Sequence, residues 1–528
     1  MGARVLFIGL DAAEPSLLRA GAARGLFPTL ERLTATGASG ALSNCMQTLP
    51  GAVWPEISSG VSCGRLPRFF HPRQLITGQA APRPLTAQDV AGDPTFWSTA
   101  SEAGARVAVV DIPHAPAVAS INGAQVVEYG LHDSHFGSSS HPAGLLDELR
   151  RVHGAYPVGR CDHYGGSTAG RLRLLADLLD GLERKTNLLV DLLQRDRWDL
   201  FACSFSEAHC AGHWFWHFHD AAGCGHAPAA PETLRRAVEV VYGQLDAALG
   251  RLTVAADAET AIVLASHGMA PYVAGYQLLP ELLARLGLSS DRGTGAGLMR
   301  RAQNTVKHWV PRRYWDVLTR TVVEQPAIRA RLVPFQRRAG AMFFPLESPL
   351  TRAVYLPNNT IGAIRLNLRG REPFGSVEPG EEARRLTQEI TQQLLALREP
   401  RSGSPIVSRV STAQEAFGSA HHPDVPDLIV SFRQDLGLLD TCESQRGRIH
   451  VPVGSRWARR TGDHSLRSAV WIQSPLAAAG APLSGGSILD IAPTVLTAVG
   501  CELPRHLDGR SLLSGRSAAS TASMDAGC

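Results

Sequence analysis

Short apolar runs that do not alternate with polar residues recur along this chain, with amphipathic helical stretches between them. That rhythm constrains the fold more than any other feature. The runs are Val5–Gly9, Val107–Val110, Leu200–Phe205, Ala261–Ala265, Leu428–Phe432 and Ala469–Ile472. Most are rich in Val, Ile, Leu or Phe, as strands covered on both faces must be. Arg171–Arg195 carries leucines at helical spacing, and Pro231–Arg251 is a second helical pattern. Alternation of this kind over 528 residues predicts an α/β fold, a doubly wound, mainly parallel sheet sandwiched by helices.

Three stretches break the rhythm. Residues 62–95 are rich in Pro, Arg and Gly and are expected to form a long loop. Residues 286–350 are Arg-rich, hold Trp309 and Trp315, and read as an inserted cap segment. Residues 516–528 are Ser/Ala-rich and read as a flexible tail. A catalytic domain is therefore expected over 1–285 and 351–515. The formal charge of +4 is small for the length and implies no nucleic-acid-binding surface. Nine cysteines lie scattered, without a C-x-x-C pair, which suits a reducing compartment. The start, MGARVLFIGLD, reads as a buried strand rather than a signal peptide, and no apolar run reaches membrane-spanning length. A soluble, cytoplasmic protein without membrane partners is expected; no oligomeric state follows from the sequence.

Open α/β sheets bind ligands beyond the carboxyl ends of their strands. Leu10-Asp11 follows the first run. Ser206-Glu207-Ala208-His209-Cys210-Ala211-Gly212-His213 follows Leu200–Phe205, and Ser266-His267-Gly268 follows Ala261–Ala265. Gly462-Asp463-His464 lies just ahead of Ala469–Ile472. Asp, Glu and His are the ligands that suit zinc, manganese or iron. On a helix, His209 and His213 stand at i and i+4 and can reach one cation. Each residue also has a plainer reading. Asp11 suits a turn or a cap, His209 and His213 suit an aromatic surface helix, and His267 and His464 suit ordinary loops.

Thr48 stands two residues ahead of Pro50, in a segment of small residues ending at Gly60. A Thr there caps a helix. The same geometry places a hydroxyl at a helix N-terminus, where backbone N–H groups favour a phosphate. A metal-bound hydroxyl ionises more easily and becomes a competent nucleophile. Arg365, Arg369 and Arg371 read either as binders of an anionic substrate or as exposed strand arginines. Trp54 and Trp214 read as pocket walls or as packing.

The order F-I-G-L-D, T-x-P, H-x-x-G-H, S-H-G-M and G-D-H resembles the alkaline phosphatase superfamily, in its type I phosphodiesterase/nucleotide pyrophosphatase branch. Ser487–Thr494 and His506–Arg510 resemble the C-terminal end of that group. The resemblance implies a metal-dependent hydrolase acting on a small-molecule phosphate ester. It implies two divalent metal ions, zinc first, with manganese or iron as the alternatives. One would be held by Asp11, Thr48 and His267; the other by His213, His464 and either Glu207 or His209. Thr48 would be the nucleophile. Three positions depart from the family pattern: Ser266 replaces an Asp, His209 replaces an Asp, and the stretch from Thr48 to Gly60 is two residues longer. The missing carboxylate predicts unequal metal occupancy, unless Glu207 or Asp463 compensates. The competing readings are a sulfatase, a phosphonate hydrolase of the same fold, and a non-catalytic binding relative. The sulfatase is disfavoured because Cys45-Met46-Gln47-Thr48 lacks the Pro and Arg of C/S-x-P-x-R.

Overall fold

A mixed sheet of nine strands divides the molecule into two hydrophobic halves. The computed structural model describes all residues except 1, 69–73, 80–82, 119, 222–225, 290–349, 359, 452–459 and 514–528. All but the edges of the expected 286–350 cap, with Trp309 and Trp315, and the 516–528 tail lie outside the described residues. Seven of the sheet's strands come from the first half of the chain: β1 (Gly2–Leu10), β2 (Ala38–Ser43), β3 (Val107–Val110), β4 (Gly123–Val127), β5 (Ser139–His141), β6 (Arg197–Phe205) and β7 (Thr260–Ala265). After β8 (Gly268–Pro271) the chain builds a smaller sheet from β9 (Ala353–Asn358), β10 (Ile361–Leu366), β11 (Val407–Thr412) and β12 (Leu428–Phe432). A hairpin of β13 (Thr441–Ser444) and β14 (Gly447–His450) follows, then β15 (Gly462–Ser465). Finally β16 (Ser468–Gln473) and β17 (Pro482–Ser487) return to the large sheet.

The large sheet runs β17-β2-β16-β7-β1-β6-β3-β4-β5. Its central five, β7-β1-β6-β3-β4, are all parallel. β16 and β5 run against their neighbours. The expected doubly wound α/β architecture is therefore the observed one. Side chains of β1 alternate between the two halves: Leu6, Ile8 and Leu10 join one core, Val5 and Phe7 the other. The first core holds the Thr168–Arg195 helix, whose Leu175, Leu178, Leu182 and Leu189 pack inward at helical spacing. Ser167 caps that helix by accepting from the Gly170 N–H, so it starts three residues before the expected Arg171. The expected Pro231–Arg251 helix breaks at Arg236 into Glu232–Arg235 and Ala237–Ala256.

Two expected strands sit elsewhere than a parallel reading implies. Leu428–Phe432 is β12 of the smaller antiparallel sheet, which has its own core with the Glu381–Leu395 helix. Ala469–Ile472 lies in β16, antiparallel to both β2 and β7. The arginines of this region are taken up by carboxylates and backbone carbonyls of the chain. Arg365 is fully buried against Glu372 and the carbonyls of Pro423 and Val425, while Arg371 pairs with Asp427 and Arg369 with Glu378. Among the described residues no helix is long and apolar enough to cross a membrane.

Lys185 is buried inside the first core, 2.6 Å from Asp111. Asp111 also accepts from the backbone N–H groups of Tyr129 and Gly130, and the Lys185 ammonium donates to the Gly130 carbonyl. The pair thus pins the chain just past β4. Breaking a buried pair strands a charge. Lys185→Ala is expected to lose about 3–5 kcal/mol of unfolding free energy in urea. Arg235→Ala, which removes an exposed pair with Glu232, is expected to lose less than about 1 kcal/mol. Equal losses would contradict this account.

Candidate metal centre

Adjacent parallel strands end level with one another, so the residues that follow them meet. β1 ends into Asp11, β7 into Ser266-His267, and β6 into the Glu207–His219 helix, which carries His209 and His213. His464 arrives differently. β15 pairs antiparallel with β8, setting His464 opposite Met269, and its ring centre lies 4.5 Å from that of His267. Gly462 makes this approach possible. A Cβ there would stand 2.2 Å from the Gly212 carbonyl oxygen, so only glycine lets β15 lie against the helix. Buried Glu14 ties the ladder down, accepting from the Met269 N–H and the Ser465 hydroxyl.

Three ring nitrogens converge in the resulting centre. His209 Nε2 lies 3.0 Å from His213 Nε2 and 2.9 Å from His464 Nε2. The other nitrogen of two of these rings is already committed. His209 Nδ1 is 2.6 Å from Asp11 Oδ2, and His213 Nδ1 is 2.8 Å from the Gly462 carbonyl oxygen. Those acceptors require N–H at Nδ1, which assigns a lone pair to each Nε2 when the rings are neutral. Facing lone pairs repel. A positive charge between His209 Nε2 and His213 Nε2, a shared proton or a metal ion, would relieve that repulsion. Ligating histidines commonly donate their second N–H to a carboxylate or a backbone carbonyl, as here.

The electrostatics suit neutral imidazole ligands. Burial pushes His213 and His464 well below the ordinary histidine range and lowers His267 to about 4. Burial alone would raise Asp11, but His209, with help from His267 and Trp54, holds it well below the usual carboxylate range. Trp54 Nε1 donates to Asp11 Oδ1 at 2.8 Å. Gly9 permits that contact, since a Cβ there would lie 2.3 Å from the indole ring. Asp463 is buried too, and burial lifts it to about 7. His213, Asp463 and His464 also offer donor atoms within 4.8 Å of one another. His267 Nδ1 lies 3.0 Å from Ser266 Oγ and 4.0 Å from Asp11 Oδ1, while its Nε2 is buried without a partner.

The expected residues thus divide. Asp11, His209, His213, His267 and His464 come together. Glu207 does not: two residues before His209 and so on the other side of the helix, it is buried and accepts from the Tyr156 hydroxyl at 2.8 Å. Between Glu207 and His209, the histidine is the one aimed at the centre. Thr48 also stands apart. Its hydroxyl donates to the Cys45 carbonyl at 3.1 Å and lies 3.8 Å from Cys63 Sγ. The narrow cavity over the histidines, about 40 Å³, is walled by Gly51, Val53, Trp54 and Ser206 but not by Thr48. Val53 begins the Val53–Ser59 helix beside the histidines, where the sequence reading placed a hydroxyl. Trp54 is a cavity wall, whereas Trp214 packs in the core beneath Arg171.

His132 escaped the sequence reading. Its ring stacks on His209 with centres 3.9 Å apart, and it follows β4, a strand too short and too polar at Gln125 to stand out. The strand-end rule that found Asp11 would have found it had β4 been recognised.

The family model for type I phosphodiesterase / nucleotide pyrophosphatase matches residues 5–451. The chain belongs to that family, one of phosphoester hydrolases. Asp11, His209, His213 and His267 fall within the match, and His464 lies beyond it. No curated protein matches the chain. Among solved structures, a phosphonoacetate hydrolase from Sinorhizobium meliloti 1021 in complex with phosphonoformate is 15% identical, covering 94% of this chain and 96% of that one, with a TM-score of 0.48. Murine ectonucleotide pyrophosphatase/phosphodiesterase 5 is 10% identical, covering 95% and 96%, also with a TM-score of 0.48.

If the three converging nitrogens are the donor set, His213→Ala and His464→Ala should each weaken zinc binding by more than about 100-fold in a competition titration. Trp54→Phe, which only frees Asp11, should weaken it by about 10-fold. Glu207→Gln should leave it unchanged. A Glu207 variant that loses zinc while His464→Ala keeps it would reverse the assignment.

Proposed function

We propose that this chain is a metal-dependent hydrolase of small phosphate esters, with one tightly held divalent cation at His209, His213 and His464. Zinc is the first choice because the donors are imidazole nitrogens. The observation that supports this most is the approach of the His213 and His464 Nε2 atoms to that of His209, with the other nitrogens of His209 and His213 held by Asp11 and Gly462. A second cation at Asp11 and His267 would bind more weakly, because Ser266 supplies no charge and Thr48 is turned elsewhere.

When bound, a divalent cation supplies Lewis-acid polarisation of a phosphoryl oxygen. The chain's own residues do the rest. Asp11 and the Gly462 carbonyl keep two imidazoles in the tautomer that presents Nε2. The Trp54 indole covers Asp11 from water. Ser206 is the one hydroxyl among the cavity walls, and its Oγ is buried without a partner, so it is placed to donate to a substrate oxygen. A larger cavity, about 490 Å³, shares His114 with the narrow one in its lining, and we propose it as the place for the ester's organic group. With Thr48 bonded elsewhere and Val53 at the wall, water is the proposed nucleophile rather than a threonine hydroxyl.

The same two residues favour a second reading, a binding protein that holds a phosphate ester without cleaving it. Turnover of an aryl phosphodiester and of an aryl phosphomonoester, with zinc or manganese supplied, separates the two. The hydrolase reading expects turnover that a chelator abolishes and that His464→Ala lowers by at least about 100-fold. It expects Thr48→Ala to stay within about threefold of the unmutated rate, since no group essential to an attack by water is removed. Loss of all turnover in Thr48→Ala, with metal content intact, would restore the threonine mechanism. Metal bound without hydrolysis of either ester would establish the binder.

A further inference from the structure

A second group of donors lies against the first, and it is built of sulfur. Cys210 sits between His209 and His213 in sequence, but successive helical residues point about 100° apart, so its thiol faces another way. It meets Cys161, which opens the short turn Cys161–His163, and His132, which follows β4. His132 Nδ1 lies 3.1 Å from Cys210 Sγ and 3.5 Å from Cys161 Sγ. All three donor atoms fall within 4.8 Å of one another, and all three side chains are buried.

One ring nitrogen carries one hydrogen or one lone pair, so it cannot make an ordinary hydrogen bond to both sulfurs. Two thiols crowding one imidazole nitrogen is instead the outline of a ligand set. Zn–S bonds of about 2.3 Å and Zn–N bonds of about 2.0–2.1 Å at tetrahedral angles put sulfur and nitrogen about 3.5 Å apart. The observed 3.1 and 3.5 Å lie at or just below that edge, close enough for small side-chain shifts to match it. The far nitrogen, His132 Nε2, is 3.8 Å from Asp133 Oδ1, an ion-pair distance longer than a hydrogen bond.

We propose that Cys161, Cys210 and His132 form a thiolate-rich site for a zinc-type cation, adjoining the nitrogen centre through His132, which also lies within reach of His209 and His213, and independent of whether that centre hydrolyses anything. Both thiols give up a proton to solvent as the cation enters, leaving two Sγ–metal bonds and one Nδ1–metal bond. The three protein donors leave the fourth tetrahedral position for an exogenous ligand. Because His132 stacks on His209, an occupied thiolate site would also hold one wall of the nitrogen centre in place.

Cobalt titration of the full-length, metal-stripped, thiol-reduced protein tests this. Cobalt on nitrogen donors alone gives weak visible bands, whereas thiolate ligation adds a strong charge-transfer band in the near ultraviolet. The proposal expects that band in the unmutated protein, its loss in Cys161→Ser and Cys210→Ser, its persistence in His464→Ala, and its displacement by zinc. Circular dichroism of the serine variants checks that they fold, and the unmutated protein gives the primary reading in any case. No charge-transfer band with every thiol reduced would overturn the proposal. So would a band that survives in both serine variants, which would move the site to the other sulfur group, Cys45, Glu56 and Cys63. Purified protein in which Cys161 and Cys210 are joined as a disulfide, with no cobalt band after reduction, would overturn it in favour of a thiol pair.

Discussion

The carboxylate of Asp11 is buried at the end of the central strand, and a charge in that position must be met on every side or it unfolds its surroundings. The neighbourhood is arranged to meet it. Trp54 reaches it across Gly9, His209 reaches it from the helix after β6, and the Ser266 hydroxyl lies 3.4 Å away at the end of β7. These contacts join three adjacent strand ends and the Val53–Ser59 helix. They also set which way the His209 ring faces, toward the Nε2 atoms of His213 and His464. The gathering of histidines around Asp11 is therefore tied to how one buried anion is neutralised.

Much of this was legible in the sequence because parallel strands buried on both faces leave a plain signature. Val107–Val110 and the cores of β1, β6 and β7 read as unbroken apolar runs, and the strand-end rule then led straight to Asp11, His209 and His267. The i, i+4 spacing of His209 and His213 needed only a helix to make sense. What could not be read was anything set by long-range packing. β4 and β5 are short and partly polar, so His132 went unseen. β12 has the composition of a central strand yet belongs to a separate antiparallel sheet, because composition reports burial and not the identity of the neighbouring strand. Arg365 looked like a surface or ligand-binding arginine, but Glu372 and two backbone carbonyls satisfy it inside the smaller core.

Thr48 shows the limit most clearly. A T-x-P segment says that a helix begins nearby, not which residue faces the site. Here two short turns, Cys45–Gln47 and Pro50–Ala52, intervene before the helix proper. They turn the Thr48 hydroxyl back onto the Cys45 carbonyl and bring Val53 to the cavity wall.

If, as the sequence resemblance implies, His209 and Ser266 each stand in place of a carboxylate, the centre is richer in nitrogen and poorer in charge. Imidazole donors bind zinc well and hard cations such as magnesium poorly. A centre of this kind would keep one cation firmly and be selective for a borderline metal. Anomalous diffraction from crystals grown with zinc, recorded on both sides of the zinc absorption edge, addresses that claim without reference to activity. The account predicts a strong peak among the Nε2 atoms of His209, His213 and His464. A map with no peak there, or with zinc held instead at Thr48 and Asp11, would contradict it.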